Sequence, residues 1–342
     1  MNRESEDIDL LARIGWLYYK ENLNQDAISR KLNLSRSKIV RFLKRAREKG
    51  IIHFHVVSSS GNVLQMEKDL ISAFGLQDAM VVPSSADDKI NQTLGKAAAQ
   101  YLERHLNSHH LLAMGWGTTI SQIANFIRPD NFKKIRIVNL IGGLTTSLYL
   151  NPYEIGGRFA SLCQGECYYI PAPAIAATEE LCTSFKSELT VQQALDIARL
   201  ATYFLVGIGQ AGSQATLVKT GFIGETETEV LRRQGAVGNI LAQFFNIEGE
   251  KINCALHRRI IAFPIEELKK MSHVIGIAGG KEKIKSILGA LQGKLINILI
   301  TDENTARAVL DLQKQKDQLE TESSVNKYSS SEDLTRREVN LQ

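Results

Sequence analysis

The sequence predicts an α/β fold that follows an N-terminal helix-turn-helix module. Residues 24–50 have the pattern of two short helices joined by a tight turn, and from Asp78 short β-rich runs alternate with helical stretches. Such alternation is typical of a largely parallel, Rossmann-like sheet covered by helices. Glycine-rich turns follow several of the predicted strands, and this edge of a parallel sheet is where ligands bind.

The predicted module has a turn at Asn33-Leu34 and a second helix that restarts at Ser35, whose hydroxyl can cap a helix N-terminus. At about 100° per residue, the second helix separates a packing arc from a basic arc. The packing arc contains Ile39, Val40, Phe42, Leu43 and Ala46, and the basic arc contains Ser37, Lys38, Arg41, Lys44 and Arg45.

This division suits a recognition helix, because side chains near its N-terminus reach base edges while flanking cations meet phosphates. A solvated basic helix is the alternative, but the turn, the cap and the upstream helix together favour double-stranded DNA as the partner. The candidate DNA contacts are Gln25, Ser35, Arg36, Ser37, Lys38 and Arg41.

The flanks of the module are also patterned. Leu10, Ile14 and Leu17 have helical spacing and predict a first helix packed under the other two. Residues 51–57 alternate well enough for a strand, which would make the module winged. His53 and His55 would share one face of that strand, and without an acidic or thiol companion we interpret them as surface residues rather than metal ligands.

Composition narrows the protein class. The chain has 342 residues and a net charge of only +4, so its basic character is local to the module. The four cysteines have no zinc half-site spacing, and we interpret them as reduced and structural. The charged start and the absence of an apolar run near ~20 residues predict a cytoplasmic protein without a membrane span.

The predicted sheet begins after a helix-period stretch, Val63–Phe74, which we interpret as a connector helix or a dimer seam. The predicted strands are 79–82, 111–116, 135–141, 167–170, 203–208, 273–278 and 296–301. The predicted helices between and after them are 92–106, 119–127, 192–201, 282–291 and 303–313.

Glycine-rich turns follow four of these strands. Backbone amides at such turns, with nearby hydroxyls and a lysine, can hold a phosphate. Tight turn geometry alone explains any single glycine pair, but several in one sheet favour a polar small-molecule site. The candidates are Gly117, Thr118, Thr119, Gly142, Gly143, Leu144, Gly279, Gly280, Lys283 and Asp302. No dinucleotide or Walker fingerprint occurs, so no cofactor is predicted.

The combination of short motifs resembles the SorC-type bacterial sugar-responsive regulators over nearly the whole chain to about residue 312. The motifs are Tyr18-Tyr19, Asn24-Gln25, Leu34-Ser35-Arg36, residues 46–50, Trp116-Gly117-Thr118-Thr119, Gly142-Gly143, Pro171-Ala172-Pro173, residues 235–238, Phe244-Phe245, Ala278-Gly279-Gly280 and residues 301–306.

The resemblance implies a tetrameric regulator that controls a carbohydrate-utilisation operon and responds to a phosphorylated sugar. It also implies that the sugar-binding domain is related to sugar-phosphate isomerases. Thr118 and Thr119 then resemble phosphate-loop hydroxyls, Lys283 the cationic partner of the phosphate and Asp302 a carboxylate that holds sugar hydroxyls. The chain has Asn246 where an aspartate is common in the family, which implies a different hydroxyl pattern in the ligand.

Two alternatives compete with a regulator. A sugar-phosphate isomerase needs a carboxylate base, and the turn at residues 207–210 contains none, although Asp302 or Glu303 could serve. An architectural DNA-binding protein would not need clustered glycines, threonines and a lysine at strand ends. The predicted domains are residues 1–57 for DNA binding, 58–312 for the connector, effector binding and oligomerisation, and 313–342 as a disordered tail with few apolar residues. A partner-binding helix around residues 313–320 is the alternative for the start of this tail.

Overall fold

A computed structural model describes residues 3–21, 23–49, 51, 59–128, 133–144, 151–213, 215–219 and 221–319. The chain divides into two compact units, Met1–Gly61 and Asn62–Gln342. Within the described residues, no helix combines the length and apolar character needed to cross a membrane.

The first unit is the predicted helix-turn-helix. Helices α1 (Arg3–Tyr19), α2 (Gln25–Leu32) and α3 (Arg36–Glu48) pack around a small core of Ile14, Leu17, Ile28, Ile39 and Leu43. Asn33 ends α2 in the left-handed conformation at φ 53°, which an asparagine tolerates. The Ser35 Oγ accepts a hydrogen bond from the Lys38 backbone N–H at 3.3 Å, so the predicted cap is confirmed.

One residue of the predicted packing arc is misplaced. Val40 is 46% exposed, whereas Ile39 and Leu43 on the same helix are buried. Helical spacing put Val40 at the margin of the arc, and the small three-helix core is too narrow to cover it. The predicted wing, including His53 and His55, lies outside the described residues.

The second unit is an α/β domain built on a seven-stranded parallel sheet. The strand order is β1-β10-β9-β5-β2-β3-β4, and every pairing is parallel. These strands are β1 (Asp78–Val82), β2 (Leu111–Met114), β3 (Arg136–Asn139), β4 (Cys167–Tyr168), β5 (Tyr203–Gly207), β9 (Val274–Ile277) and β10 (Ile298–Asp302). All seven predicted strands are therefore confirmed as members of one sheet.

A second sheet was not predicted. It is a three-stranded antiparallel sheet of β6 (Gly209–Gln210), β7 (Gly238–Ile240) and β8 (Gln243–Phe245). Its strands have only two or three residues each, which is too short to show an alternating pattern.

Helices surround the parallel sheet. They are α4 (Ser59–Phe74), α5 (Ile90–His105), α6 (Thr118–Ile123), α7 (Pro152–Leu162), α8 (Glu179–Ser187), α9 (Leu189–Arg199), α10 (Thr216–Lys219), α11 (Glu225–Arg233), α12 (Ile265–Leu268), α13 (Ile284–Gln292) and α14 (303–319). Short 3-10 turns lie at Ala255–Arg259 and Lys281–Lys283.

The apolar stripe of α4 does not form a free seam. Val63 and Leu70 are buried in the core of the second unit, and Met66, Ile71 and Phe74 pack against it. Because the helix uses this stripe within its own unit, the same residues are not available as an exposed dimer seam.

The predicted disordered tail starts too early. Residues 313–319 continue α14. The Gln313 Oε1 accepts a hydrogen bond from the Gln292 Nε2 at 3.0 Å, and the Lys316 ammonium donates to the Gln292 Oε1 at 2.9 Å. Low apolar content favoured disorder here, whereas polar side-chain bonds to α13 help to order the helix that was the alternative for this segment. The rest of the predicted tail, residues 320–342, lies outside the described residues. The four cysteines are free, and Cys163, Cys182 and Cys254 are buried.

Candidate functional site

The basic face of α3 is exposed as predicted. Ser35, Arg36, Ser37, Lys38 and Arg41 are all exposed, while Gln25 at the start of α2 is half-buried. The Arg36 Nε lies 3.4 Å from the Gln25 Oε1 and 3.5 Å from the Asp26 Oδ1. These contacts hold the Arg36 guanidinium beside the N-terminus of α2. Gln25 at the start of α2 and Arg36 at the start of α3, both candidate DNA contacts, therefore lie next to each other.

The candidate ligand site of the second unit is a cleft of about 410 Å³ at the carboxyl ends of the parallel strands. The loops after β2, β5 and β9 line it, together with the start of α5. After β2 the chain winds outward to β3 and β4 and returns through β5 on the other side of β2. The cleft therefore lies at the switch point of the sheet, where open α/β folds bind ligands.

The loop after β2 supplies the predicted residues Gly117, Thr118 and Thr119, and all three line the cleft. Gly117 has φ 133°, which strongly favours glycine. Within the described part of the chain, the Thr118 hydroxyl has no hydrogen-bond partner. The Thr119 hydroxyl behaves differently, because it donates to the Asn91 Oδ1 at 2.7 Å.

The loop after β9 supplies Gly279, Gly280 and Lys283, which also line the cleft. Gly280 has φ 102°, and its backbone N–H donates to the Thr305 Oγ1 at 2.8 Å. This amide is therefore bonded within the protein and is not a donor for a ligand, contrary to the prediction for Gly280.

Lys283 is the inner cation of the cleft. It is half-buried, and among the described residues its side chain has neither a carboxylate partner nor a hydrogen bond. Burial without a compensating charge lowers the pKa of its ammonium group to about 8. The other charged residues at the cleft, Asp87, Lys219, Lys281 and Glu282, are exposed at its mouth.

The described start of the loop after β3, residues 140–144, does not line the cleft, which corrects three predicted residues. The backbone N–H of Gly142 donates to the Ile261 carbonyl, that of Gly143 to the Ala172 carbonyl and that of Leu144 to the Asn151 Oδ1, at 3.0, 2.8 and 3.4 Å. A Cβ at Gly142 would lie 2.4 Å from the Ala172 oxygen. These glycines allow close packing of two chain segments and offer no amide to a ligand.

Asp302 is also misplaced as a sugar-binding carboxylate. It is 3% exposed and does not line the cleft. Its Oδ1 accepts hydrogen bonds from the Ser84 hydroxyl at 3.0 Å and the Thr305 backbone N–H at 3.2 Å, and its Oδ2 accepts one from the Thr305 hydroxyl. Asp302 caps α14 and supports the loop after β9 through Thr305 and Gly280.

Asn246 likewise lies away from the cleft. Its Oδ1 accepts a hydrogen bond from the Glu250 backbone N–H at 2.8 Å, and its Nδ2 donates to the Glu250 carboxylate at 3.2 Å. Asparagine commonly stabilises tight turns in this way, so the position following Phe244-Phe245 has a structural use here.

The cleft is also lined by polar residues that the sequence did not single out, among them Asn91, Gln210 and Asn239. Asn239 lies in β7, and its Nδ2 donates to the Gln210 backbone carbonyl at 3.1 Å. Asn91 lies in the first turn of α5, after the loop that follows β1. That position was a usable signal for Asn91, whereas Asn239 belongs to the short sheet that no pattern revealed.

The two units define a recognisable class: a helix-turn-helix module joined in one chain to an α/β domain with a polar ligand cleft is the arrangement of a ligand-responsive transcriptional regulator. Residues 59–311 match the family model described as "Putative sugar-binding domain". The chain belongs to this SorC-type family of sugar-responsive regulators.

Individual relatives agree with this assignment. The chain is 36% identical over 309 residues to the transcriptional regulator LsrR of Enterobacter sp. (strain 638), covering 89% of this chain and 93% of the relative. It is 30% identical over 315 residues to the deoxyribonucleoside regulator of Bacillus subtilis (strain 168), covering 91% and 99%. These relatives are transcriptional regulators, and the protein is a regulator rather than an enzyme.

The fold comparison leads to the same family. The crystal structure of the full-length sorbitol operon regulator SorC from Klebsiella pneumoniae superposes with a TM-score of 0.68 at 25% sequence identity. The match covers 89% of this chain and 99% of that chain.

Proposed function

We propose that this regulator binds operator DNA through α2 and α3 and controls a carbohydrate-utilisation operon in response to a phosphorylated sugar held in the cleft. Residues 1–57 act on DNA, and the remainder of the chain to residue 312 senses the ligand. Since operator DNA is the proposed partner, the proposed location is the cytoplasm.

The observation that carries the phosphate part is Lys283. A desolvated ammonium group without a counter-charge is unfavourable, and an anionic ligand would relieve this cost. The Thr118 hydroxyl lines the same cleft and is available to donate. A phosphate group carries several acceptor oxygens and negative charge, which matches both groups.

The sugar part rests on the amide-lined wall of the cleft. Because the Asn239 Nδ2 already donates to Gln210, its Oδ1 is left as an acceptor for a ligand hydroxyl. The names of the relatives support a sugar-related ligand, since one is a deoxyribonucleoside regulator and another regulates a sorbitol operon.

The DNA part rests on the exposed cations of α3. Substituting Arg41 with alanine should weaken operator binding by ~1–3 kcal/mol without changing the ligand response of the second unit. A gel-shift titration measures the first effect, and a thermal melt with ligand measures the second. Unchanged DNA affinity would move the recognition face away from Arg41.

A homo-oligomer completes the proposal. Paired helix-turn-helix modules read two-fold operators, so at least a dimer is required, and the family resemblance extends this to a tetramer. The contacts must come from surfaces other than the α4 stripe. Light scattering that gave a monomer mass both with and without DNA would contradict this part.

The test of the whole proposal is a thermal-shift screen of sugars and their phosphate esters with the full chain. A ligand that binds only the folded state raises its stability. The expected result is a rise with one phosphorylated sugar, no rise with the same sugar lacking phosphate, and altered operator affinity in a gel shift with that ligand. Equal responses to the sugar and its phosphate would refute the phosphate site.

A further inference from the structure

We propose that Asn91 is a direct hydrogen-bond donor to the ligand's phosphate and that Thr119 acts through it as a positioning residue. This inference rests on the proposed function and assigns its anion site a residue from α5. It reverses the expectation from sequence, in which Thr119 itself contacts the phosphate.

The first step is the close approach of α5 and α6. Gly95 lies one turn after Asn91, and a Cβ at Gly95 would lie 2.6 Å from the Cβ of Gln122 on α6. The two helices therefore touch at a glycine, and this contact brings the first turn of α5 against the first turn of α6. Asn91 and Thr119 meet there, at the wall of the cleft.

The second step counts donors. A threonine hydroxyl has one proton, and in this structure Thr119 donates it to the Asn91 Oδ1 at 2.7 Å. Thr119 is only 3% exposed, so its side chain is also covered. It cannot donate to a ligand oxygen at the same time.

The third step concerns the other end of the Asn91 amide. The Asn91 Oδ1 faces Thr119, and the two N–H donors of the Nδ2 have no partner among the described residues. The Nδ2 is also not fully buried. The amide nitrogen is therefore accessible in a residue that lines the cleft.

The ligand selects this orientation. If the amide rotated by 180°, the Nδ2 would donate to Thr119 and the Oδ1 would face the cleft, where it would repel a phosphate oxygen. Phosphate dianions offer only acceptors, so they favour the orientation in which Nδ2 faces them. Thr119 stabilises that orientation because its hydroxyl supplies the proton that the Oδ1 accepts.

The experiment measures binding of inorganic phosphate to the full chain by calorimetry, with potassium chloride at equal ionic strength as the reference. In N91D the carboxylate can still accept the Thr119 proton, so the internal bond remains while a negative oxygen replaces the donor. Phosphate affinity should fall at least about tenfold in N91D and about tenfold in N91A. The matched control Q92E adds the same charge at the next, exposed position of α5 and should change affinity less than about twofold.

A second comparison separates positioning from a general structural role. T119V should lower affinity only a few-fold, because the Asn91 donor remains but loses its orienting partner. In N91A no amide remains for Thr119 to orient, so N91A/T119V should bind phosphate about as weakly as N91A alone. Additive losses would overturn the positioning role of Thr119.

The outcomes distinguish the two levels of the proposal. If the wild-type chain binds phosphate and both N91D and N91A bind it equally well, the role of Asn91 is overturned while the proposed phosphate site survives. If the wild-type chain does not bind phosphate, the proposed phosphate site itself fails. If N91D shows no folded state in a thermal melt, the phosphate affinities of N91A, T119V and N91A/T119V still test the roles of Asn91 and Thr119.

Discussion

Two glycine-containing loops at neighbouring strands, one after β2 and the other after β3, differ in what their polar groups do. In the loop after β2, Gly117 turns the chain at φ 133° and Thr118 keeps a hydroxyl at the cleft that has no partner among the described residues. In the loop after β3, the amides of Gly142, Gly143 and Leu144 all bond within the protein. A glycine at a strand end is therefore not sufficient to make a ligand site. A loop can bind a ligand only where its N–H and O–H groups are not already bonded within the protein.

The largest expected effect is on stability, at the loop after β3. In Gly142→Ala the new Cβ would meet the Ala172 and Pro173 backbone, 2.4 and 2.7 Å away, so the free energy of unfolding should fall by about 3 kcal/mol. Denaturant titration measures this change. Gly224→Ala is the matched control, because no atom lies within 4 Å of its Cβ position. Equal stability of the two variants would mean that the loop after β3 is not packed as described.

A second prediction concerns Lys283, in the loop after β9 that shares the cleft with the loop after β2. Lys283→Met should weaken binding of the phosphorylated effector by about 2–3 kcal/mol, because a charge-assisted bond is lost. The same change should raise the Tm of the unliganded protein by about 2 °C or more, because a desolvated cation is removed. Exposed Lys285 provides the control, and Lys285→Met should do neither. A lower Tm in Lys283→Met would contradict the unfavourable burial of that charge.

A third prediction tests the support beneath the cleft. Thr305→Val removes the hydroxyl that joins the Gly280 N–H to the Asp302 carboxylate, and it leaves a buried carboxylate oxygen and a half-buried N–H without this partner. The free energy of unfolding should fall by about 2 kcal/mol, with weaker effector binding because the loop carrying Lys283 is loosened. Thermal melts and calorimetry measure both. Thr183→Val, at an exposed hydroxyl on α8, is the control; a loss of stability of equal size there would remove the special role of Thr305.

The smallest expected effect is a dependence of effector affinity on pH. Lys283 is fully charged well below its pKa of about 8 and loses its proton as pH rises through that value, so binding should weaken by about tenfold between pH 7 and pH 9. Unliganded stability follows the opposite sign, since the cost of the buried charge is present below pH 8 and disappears as pH rises from 8 towards the ordinary value of 10.5.

Calorimetry at several pH values tests the pH dependence of binding. Lys283→Met serves as its reference, because without the ammonium group the residual affinity should be nearly constant over this range. A wild-type affinity that stays constant from pH 7 to pH 9 would show that Lys283 does not pair with the phosphate.

The sequence by itself determined the helix-turn-helix and the seven strands of the parallel sheet. These features depend on local pattern: Ser35 is a cap wherever a helix restarts, and a strand such as Leu111–Met114, buried on both faces, must be apolar throughout. It also placed Gly117, Thr118 and Lys283 at the site, because parallel strands bring their carboxyl ends to one edge.

Only the tertiary structure decided which polar groups are free. Asp302 ends β10, and its carboxylate accepts hydrogen bonds from Ser84 and Thr305. Lys283 follows β9, and its ammonium group has no partner among the described residues. Asn91 became a candidate only when Gly95 brought α5 against Thr119. Local sequence specifies periodicity and turns, whereas the partner of a hydrogen-bonding group is set by residues distant in the chain, as Ser84 and Asp302 show, and these meet only when the fold is complete.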